Sequence, residues 1–353
     1  MEVIFLRRSD LLVKDFAYVD HDYQIIIDSV IPQKSSFVAN KKNINAEVGD
    51  LLVVKDKVIN YIGIIVSIEE DTQKFNSKIQ TTDFISILDI QIKLKSYSGN
   101  ISIYLMNLIK NAYIDNSDPK QKIKYLSIDR DFADINGTLN YEADTLGTIS
   151  SVVETLNKAY SIGVFYSLDY YGGKINGITL HISNCTKGVI LKSNLSAISD
   201  LVISSDNTQT TNKIMFIPSD ENVTHKNVVC FYLLQDGTIS SDASSSLRYS
   251  TICSVSKIYK DADYSTLSTT AQSEMLASSL EHSITFNLRF DNQVVVPFKD
   301  INVGDFIEFI TPNKTYQTMI TQIAIKNTLT TAGITLGEYR GSLTDKIKLL
   351  SKK

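Results

Sequence analysis

Four histidines are the residues of this sequence best suited to metal or acid–base chemistry, and their spacing gives no metal site. They are His21, His181, His225 and His282. No pair is separated by three residues, the spacing at which two histidines of one helix bind a zinc ion. His181 alternates with apolar neighbours such as Leu180 and Ile182, which predicts a solvated histidine on the polar face of a strand.

Two acidic clusters are the next candidates for chemistry. Asp129 and Asp131 flank Arg130, and their carboxylates would share one face of an extended chain. Carboxylates can bind a divalent cation, but an arginine between them and the lack of a third acid disfavour a metal site. The run from Glu69 to Asp71 follows a predicted strand and is interpreted as a solvated loop.

No recognised catalytic or phosphate-binding motif is present. The sequence has no Gly-x-Ser-x-Gly elbow, no Walker loop and no dinucleotide-binding glycine pattern. Gly172 and Gly173 are better explained as a hairpin turn. Cys185, Cys230 and Cys253 form no Cys-x-x-Cys pair, so neither zinc nor a disulfide framework is indicated. The sequence therefore predicts a protein that is not an enzyme and that needs no cofactor or metal.

Aromatic residues leave a saccharide site open as an alternative. The chain has 18 tyrosines, 14 phenylalanines and no tryptophan, and Tyr166, Tyr170 and Tyr171 form its densest aromatic cluster. Sugars bind on exposed aromatic faces, but tyrosines are also ordinary strand residues. A cell-wall hydrolase with dispersed acidic residues is a second alternative, since catalytic residues distant in sequence leave no local signature.

A duplicated segment is the strongest signal in the chain. Val48-Gly49-Asp50 returns 255 residues later as Val303-Gly304-Asp305, and the alignment continues without a gap to Ile68 and Ile323. Six of these 21 aligned positions are identical, where background frequencies give about one or two. The identical pairs include Gly49 and Gly304, Asp50 and Asp305, and Tyr61 and Tyr316.

Each copy reads as a β-meander. Glycine permits a turn conformation that other residues avoid, and aspartate can accept hydrogen bonds from nearby amides. Strands are predicted over 51–55 and 59–68 in the first copy, and over 306–310 and 315–325 in the second. The copies at 48–68 and 303–323 therefore predict two similar small β-barrels.

The remaining sequence predicts a β-rich α+β fold in which the second barrel is discontinuous. Strands are expected at 3–6, 23–27, 79–92, 163–170, 178–182, 213–218 and 228–234, and helices at 101–112, 149–160 and 264–280, with Asp144 or Thr148 capping the second helix. The expected domains are 1–95 (first barrel), 96–195 (α+β), 196–240 with 284–353 (second barrel), and 241–283 (a loop and helix insertion).

Charge and hydropathy disfavour two classes of partner, nucleic acids and membranes. The net charge is −4 with both signs interspersed, so a nucleic-acid partner is not expected. The first residues do not have the pattern of a signal peptide, and the longest apolar run is too short to span a bilayer. We expect a protein made in the cytoplasm without a membrane anchor.

Eight segments of the chain carry a family resemblance, namely 36–38, 48–51, 61–65, 81–89, 212–215, 232–239, 303–307 and 340–346. They resemble the tail hub (tail-associated, Tal-like) proteins of long-tailed phages that infect Gram-positive bacteria. The resemblance implies a homotrimeric ring with pseudo-sixfold symmetry at the virion tail tip, seated on the tail tube or on a distal tail protein ring. It also implies contacts with a tape-measure protein and with receptor-binding proteins.

Overall fold

The computed structural model describes most of the chain. It covers residues 1–29, 33–56, 59, 61–71, 73–130, 134–139, 141, 145–205, 211–219, 224, 226–235, 238–278, 282–291 and 295–337. His225, Asp131, Asp144 and the predicted segment 340–346 lie outside these residues.

Strands dominate the structure. In chain order they are β1 (Glu2–Leu6), β2 (Val13–Asp28), β3 (Lys34–Ala39), β4 (Leu51–Lys55), β5 (Ile62–Asp71), β6 (Asn76–Asp83), β7 (Gln91–Lys93), β8 (Tyr97–Asn100), β9 (Leu126–Arg130), β10 (Asn136–Leu139), β11 (Leu146–Thr148), β12 (Ile162–Tyr171), β13 (Lys174–Asn184), β14 (Thr186–Lys192), β15 (Ile198–Ser205), β16 (Lys213–Pro218), β17 (Val229–Leu233), β18 (Ile239–Ser240), β19 (Ser254–Tyr259), β20 (His282–Arg289), β21 (Phe306–Ile310), β22 (Thr315–Lys326) and β23 (Thr331–Gly337).

Three α-helices and two short 3-10 helices complete the described elements. They are α1 (Ile101–Tyr113), α2 (Ile149–Tyr160) and α3 (Leu267–Ser278), with 3-10 helices at Phe84–Asp89 and Asp261–Thr266. The predicted β-rich α+β fold class is confirmed.

The chain divides into two compact units, one of residues 1–201 with 285–335 and one of residues 202–284 with the short segment from 336. The division into four domains stays a prediction.

A 12-stranded sheet forms the framework of the first unit, except that one end each of β15, β20 and β23 belongs to the second unit. Its main path runs β1-β4-β5-β6-β3-β2-β22-β23-β20-β15, and β21 joins β22 to β14. In the first copy, the strands pair in the order β1-β4-β5-β6-β3-β2, and β1 also pairs with β2. Each of these six strands therefore pairs with two others of the same copy. In the second copy, the strand beside β21 is β14, which runs parallel to it, whereas β1 runs antiparallel to β4.

A three-stranded sheet and two helices form the α+β part of the same unit. Strand β13 lies between β12, which is antiparallel to it, and β9, which is parallel. Helices α1 and α2 bury Leu105 and Leu156 against this sheet in one apolar core. Thr148 and Ser151 form a capping box at the start of α2, so the Thr148 cap is confirmed.

The second unit contains its own sheet and helix. The strand order is β18-β17-β16-β19, with β19 parallel to β16. Helix α3 contributes Leu267, Ala271 and Met275 to a core that also holds Ile214 and Phe216. The predicted strand at 213–218 has its expected bounds. Over 264–278, the predicted helix corresponds to the end of the 3-10 helix Asp261–Thr266 followed by α3, and its last two residues lie outside the described part of the chain.

Two predictions of local secondary structure were wrong. The strand expected over 79–92 ends at Asp83, because the Asp83 carboxylate accepts a hydrogen bond from the Ile85 amide and starts the 3-10 helix Phe84–Asp89. The acidic run from Glu69 to Asp71 is not a loop but the end of strand β5. The sequence predicts a loop here because three consecutive acidic residues are typical of loops, but charged side chains are also common on strand edges.

Candidate functional site

The repeated Val-Gly-Asp segment forms the same turn in both copies. Gly49 and Gly304 have φ angles of +96° and +94°, which residues with a Cβ atom rarely adopt. The Gly49 amide donates to the Ile65 carbonyl at 2.8 Å, and the Gly304 amide donates to the Ile320 carbonyl at 2.7 Å. The positive φ explains why glycine occupies both positions.

The aspartates of the two turns make equivalent hydrogen bonds as well. The Asp50 carboxylate accepts from the Glu47 amide at 3.0 Å, and the Asp305 carboxylate accepts from the Asn302 amide at 2.7 Å. The carbonyls of the same two aspartates accept from the amides of Ile65 and Ile320, at 2.8 and 2.9 Å. Each bond in one copy corresponds to a bond 255 residues further along, so the duplication is structural and not a coincidence of sequence.

The hairpins that follow the turns have the same register. The pairs Leu51–Ile64, Leu52–Gly63 and Val53–Ile62 of the first copy correspond to Phe306–Met319, Ile307–Thr318 and Glu308–Gln317 of the second. The next strands, β6 and β23, also begin 255 residues apart. The copies therefore extend beyond the segment recognised in the sequence.

The environments of the two aspartates differ. Asp305 is fully buried, whereas Asp50 forms an ion pair with Lys14 at 2.9 Å. Burial opposes ionisation of Asp50, but hydrogen bonds from Lys14 and from the amides of Glu47 and Arg8 outweigh it, so its pKa lies below the usual value. Asp50 borders a shallow pocket that Arg7, Lys14 and Glu47 also line.

The repeated tyrosines are not equivalent. Tyr61 is fully buried, and its hydroxyl is 2.7 Å from the Thr81 hydroxyl, an environment whose burial raises the tyrosine pKa. Tyr316 is partly exposed and lies under the ammonium of Lys314, which is 4.8 Å from the ring centroid. Of the two repeated tyrosines, only Tyr61 therefore contributes to a core.

The two copies meet edge to edge. Strand β2 of the first copy pairs with β22 of the second, with Ile25 opposite Ile325 and Ile27 opposite Ile323. The Gln322 amide donates to the Asp28 carboxylate at 2.9 Å across this junction. The junction is not predicted from the sequence, although the uninterrupted apolar run at 25–27 is a signal for a strand covered on both faces.

The polar face of the β9-β13-β12 sheet brings three chemically capable residues together. The hydroxyl of Ser167 is 2.7 Å from the Nε2 atom of His181, while the Nδ1 atom of His181 is 3.9 Å from the Asp129 carboxylate. The latter distance is longer than a hydrogen bond. His181 is thus hydrogen-bonded and partly buried, and the prediction of a solvated histidine was wrong in that respect.

The remaining candidates are separated from one another. Arg130 turns from Asp129 to pair with Asp134 and donates to the Ser102 hydroxyl at 3.0 Å. In the part of the chain that the structure describes, no group of three or more His, Cys, Asp or Glu side chains could bind a metal. The three cysteines are free thiols.

The tyrosine cluster also separates. Tyr170 and Tyr171 are exposed at the hairpin between β12 and β13, with exposed fractions of 60% and 81%. Tyr166 instead points inward, donating to the Asp83 carboxylate at 3.0 Å and accepting from the Ile62 amide. Burial raises the pKa of Asp83 to about 6. Tyr166 therefore ties the α+β part to the first copy and is no part of a sugar platform.

The fold is that of phage tail and baseplate proteins. The prophage tail protein gp18 of Listeria monocytogenes matches all of this chain and 99% of its own at 11% identity, with a TM-score of 0.59. The 43 kDa tail protein of prophage MuSo2 from Shewanella oneidensis matches 95% of this chain and 98% of its own at 8% identity, with a TM-score of 0.56.

A chain of the phage P2 baseplate in its activated conformation matches to a similar degree, covering 95% of this chain and 98% of its own at 10% identity, with a TM-score of 0.53. No family model and no curated protein sequence matches the chain. Among the described residues, the helices are too short or too polar to cross a membrane.

Proposed function

We propose that this chain is a structural hub of a phage or prophage tail tip or baseplate. The hub is a homotrimeric ring that caps or extends the tail tube and connects it to tip or host-recognition components. A trimer of chains that each carry two equivalent modules presents six similar surfaces to a sixfold tube. The β2–β22 pairing carries this proposal, because it sets the two copies side by side in one sheet.

The proposed partners follow from the same arrangement. The ring binds a distal tail protein ring or the tail tube on one side, and a tape-measure protein and receptor-binding proteins complete its contacts. Its place is the virion tail tip, in phages of Gram-positive hosts as the sequence resemblance implies. The similarity to tail and baseplate proteins supports the location without identifying the host.

A role without catalysis fits the polar clusters. His181 lies on β13, the central strand of its sheet, where backbone amides bond to the neighbouring strands β12 and β9. Amides used in this way are unavailable to stabilise an oxyanion, which a serine hydrolase requires.

Two measurements test the proposed function. Light scattering coupled to size-exclusion chromatography should give three times the mass of one chain, and immunogold labelling should mark the tail tip of purified particles. A protein that stays monomeric at high concentration and is absent from particles would exclude the hub.

Saccharide binding is the second candidate function, favoured by the exposed rings of Tyr170 and Tyr171. Binding to purified cell-wall polysaccharide that is lost in Tyr171→Ala and retained in Phe165→Leu would support it. A hydrolase is the third alternative, favoured by the short Ser167–His181 contact. Clearing of a cell-wall suspension that is lost in His181→Ala would support that activity.

A further inference from the structure

The large sheet has strand edges with no pairing partner among the described residues, and two of them belong to β5 and β15. Strand β4 covers only the beginning of β5, pairing with Ile62 to Ile64, so the edge of β5 from Ser67 to Asp71 extends beyond it. Strand β15 lies at the end of the sheet path, beyond β20. Unpaired edges are templates for pairing with another chain.

The internal junction shows what the β5 edge can bind. Positions 322–326 of β22, which correspond to 67–71 of β5, pair antiparallel with β2. The flanking bonds run from the Ser29 amide to the Thr321 carbonyl and from the Asn327 amide to the Tyr23 carbonyl, both at 3.0 Å. Because antiparallel ladders alternate, these bonds direct the backbone groups of Ile323 and Ile325 toward β2.

The equivalent backbone groups of the first copy belong to Ile68 and Glu70. The repeat directs their amides and carbonyls toward the uncovered side of β5. Burial differs as expected for a missing neighbour, since Ile323 is fully buried and Ile68 is partly exposed. The edge of β5 therefore has the same strand geometry as the edge of β22, without the strand that covers β22.

Strand β15 has the position of β2 in the second copy. The sheet path reads β5-β6-β3-β2 in the first copy and β22-β23-β20-β15 in the second. The side chains of β15 are also more exposed than those of β2. Ile25 and Ile26 of β2 are buried, while Val202 and Ile203 of β15 are exposed by 59% and 39%.

We propose that the β15 edge of one copy of this chain pairs antiparallel with the Ser67–Asp71 edge of β5 in a second copy, repeating the β2–β22 junction between molecules. The inference rests on the proposed ring and identifies the surfaces that close it. The two edges differ, so the interface is heterologous, and head-to-tail contacts of this kind close into a ring when the rotation between neighbouring copies is one third of a turn. The acidic run from Glu69 to Asp71 protects the edge from non-specific pairing before assembly.

A backbone substitution tests the β5 edge. In Glu70→Pro the outward amide is lost, and the pyrrolidine ring obstructs the incoming strand, while proline on an uncovered edge leaves the bonds to β6 intact. We expect self-association of the full-length chain to weaken at least about tenfold, because each junction loses roughly one or two hydrogen bonds. Glu70→Ala removes the same carboxylate but keeps the amide, and should assemble like the wild type.

A side-chain substitution tests the β15 edge. Val202→Asp places a charge on the surface that the second copy would cover and should weaken assembly to a similar extent. The matched control is Ile258→Asp, which changes a residue exposed by 76% on another edge strand, β19, and should leave assembly unchanged. Equal unfolding midpoints of the variants would show that each chain still folds.

Mixing distinguishes the head-to-tail arrangement from other interfaces. Glu70→Pro keeps an intact β15 edge, and Val202→Asp keeps an intact β5 edge. A mixture of the two should form one intact junction and give dimers by light scattering at concentrations where each variant alone stays monomeric. Hydrogen exchange should show slower exchange at the amides of Ile68 and Glu70 in the wild-type assembly than in Val202→Asp.

The outcomes separate this inference from the proposed function. A wild-type chain that does not self-associate overturns the ring itself. A wild-type trimer that persists in both Glu70→Pro and Val202→Asp, with unprotected amides at Ile68 and Glu70, overturns the junction and leaves the ring standing.

Discussion

Two glycines hold the same backbone conformation in the two copies of the repeat. A Cβ atom at Gly49 would meet no other atom within 4 Å, and at Gly304 it would meet only the Asn157 amide nitrogen at 3.5 Å. The cost of a side chain is therefore conformational strain and not a steric clash. Strain of this kind amounts to roughly 1–3 kcal/mol per residue.

The glycines give the first prediction. Gly49→Ala and Gly304→Ala should each lower the free energy of unfolding by roughly 1–3 kcal/mol, measured by urea denaturation. Gly333→Ala is the control, because Gly333 lies in β23 with a negative φ and only ordinary contacts, and alanine there should be neutral or slightly stabilising. Unchanged stability in both turn variants would contradict a requirement for the positive φ.

Asp83 and Asp50 are predicted to affect stability in opposite directions as the pH changes. The folded pKa of Asp83 is raised to about 6, so ionisation of this carboxyl destabilises the fold. The destabilisation develops as the pH rises from about 4 to about 6. The folded pKa of Asp50 is lowered, so ionised Asp50 stabilises the fold above its ordinary pKa, and that stabilisation is lost as the pH falls.

The asparagine variants test these signs. Asp83→Asn keeps an acceptor for the Ile85 amide and should be more stable than the wild type at pH 7, by at most about 3 kcal/mol, with the difference fading toward pH 4. Asp50→Asn should be less stable at pH 7 and approach the wild type at low pH. Melting temperatures from pH 4 to 8 measure both, and parallel curves for the two variants would refute the assigned shifts.

Local chemistry allowed some elements to be predicted from sequence. Helix α2 has the predicted bounds because Thr148 caps an apolar stripe at helical spacing. The end of β6 was missed because the alternation around Ile85 and Ile87 mimics a strand, while the deciding contact is the Asp83 cap. Short strands such as β7 and β11 pair across about 50 residues of sequence, and no local pattern predicts that pairing.

The cap of α2 gives a prediction at this scale. The Thr148 side chain accepts from the Ser151 amide at 3.1 Å, and the Ser151 hydroxyl accepts from the Thr148 amide at the same distance. Thr148→Ala should cost about 1 kcal/mol of unfolding free energy, whereas Thr148→Ser should retain most of it. Equal losses in both variants, measured by chemical denaturation, would mean that methyl packing and not the hydrogen bond stabilises this helix end.

At the scale of the molecule, the duplication was visible in the sequence but the junction was not. Gly49 and Gly304 are recognisable because their conformation restricts the residue type. The partners of the β2–β22 junction lie about 300 residues apart, and any apolar strand could fill either position. Ser167, His181 and Asp129 likewise come from three separate strands, so only the register of the sheet reveals their proximity.

Most of the second compact unit, residues 206–281, lies between two neighbouring strands of the chain, which predicts that the sheet folds without this segment. Strands β15 and β20 are hydrogen-bonded neighbours, and the Ser204 hydroxyl donates to the Ser283 carbonyl at 3.4 Å. A two-residue Asn-Gly turn can therefore replace residues 206–281 and join the strands as a hairpin. We expect this shortened chain to fold cooperatively and to self-associate like the full-length protein, as measured by calorimetry and light scattering. Adding Glu70→Pro to the shortened chain should abolish its association, because both proposed edges remain in it. Aggregation or a lost unfolding transition would instead show that the second unit is needed to fold the sheet.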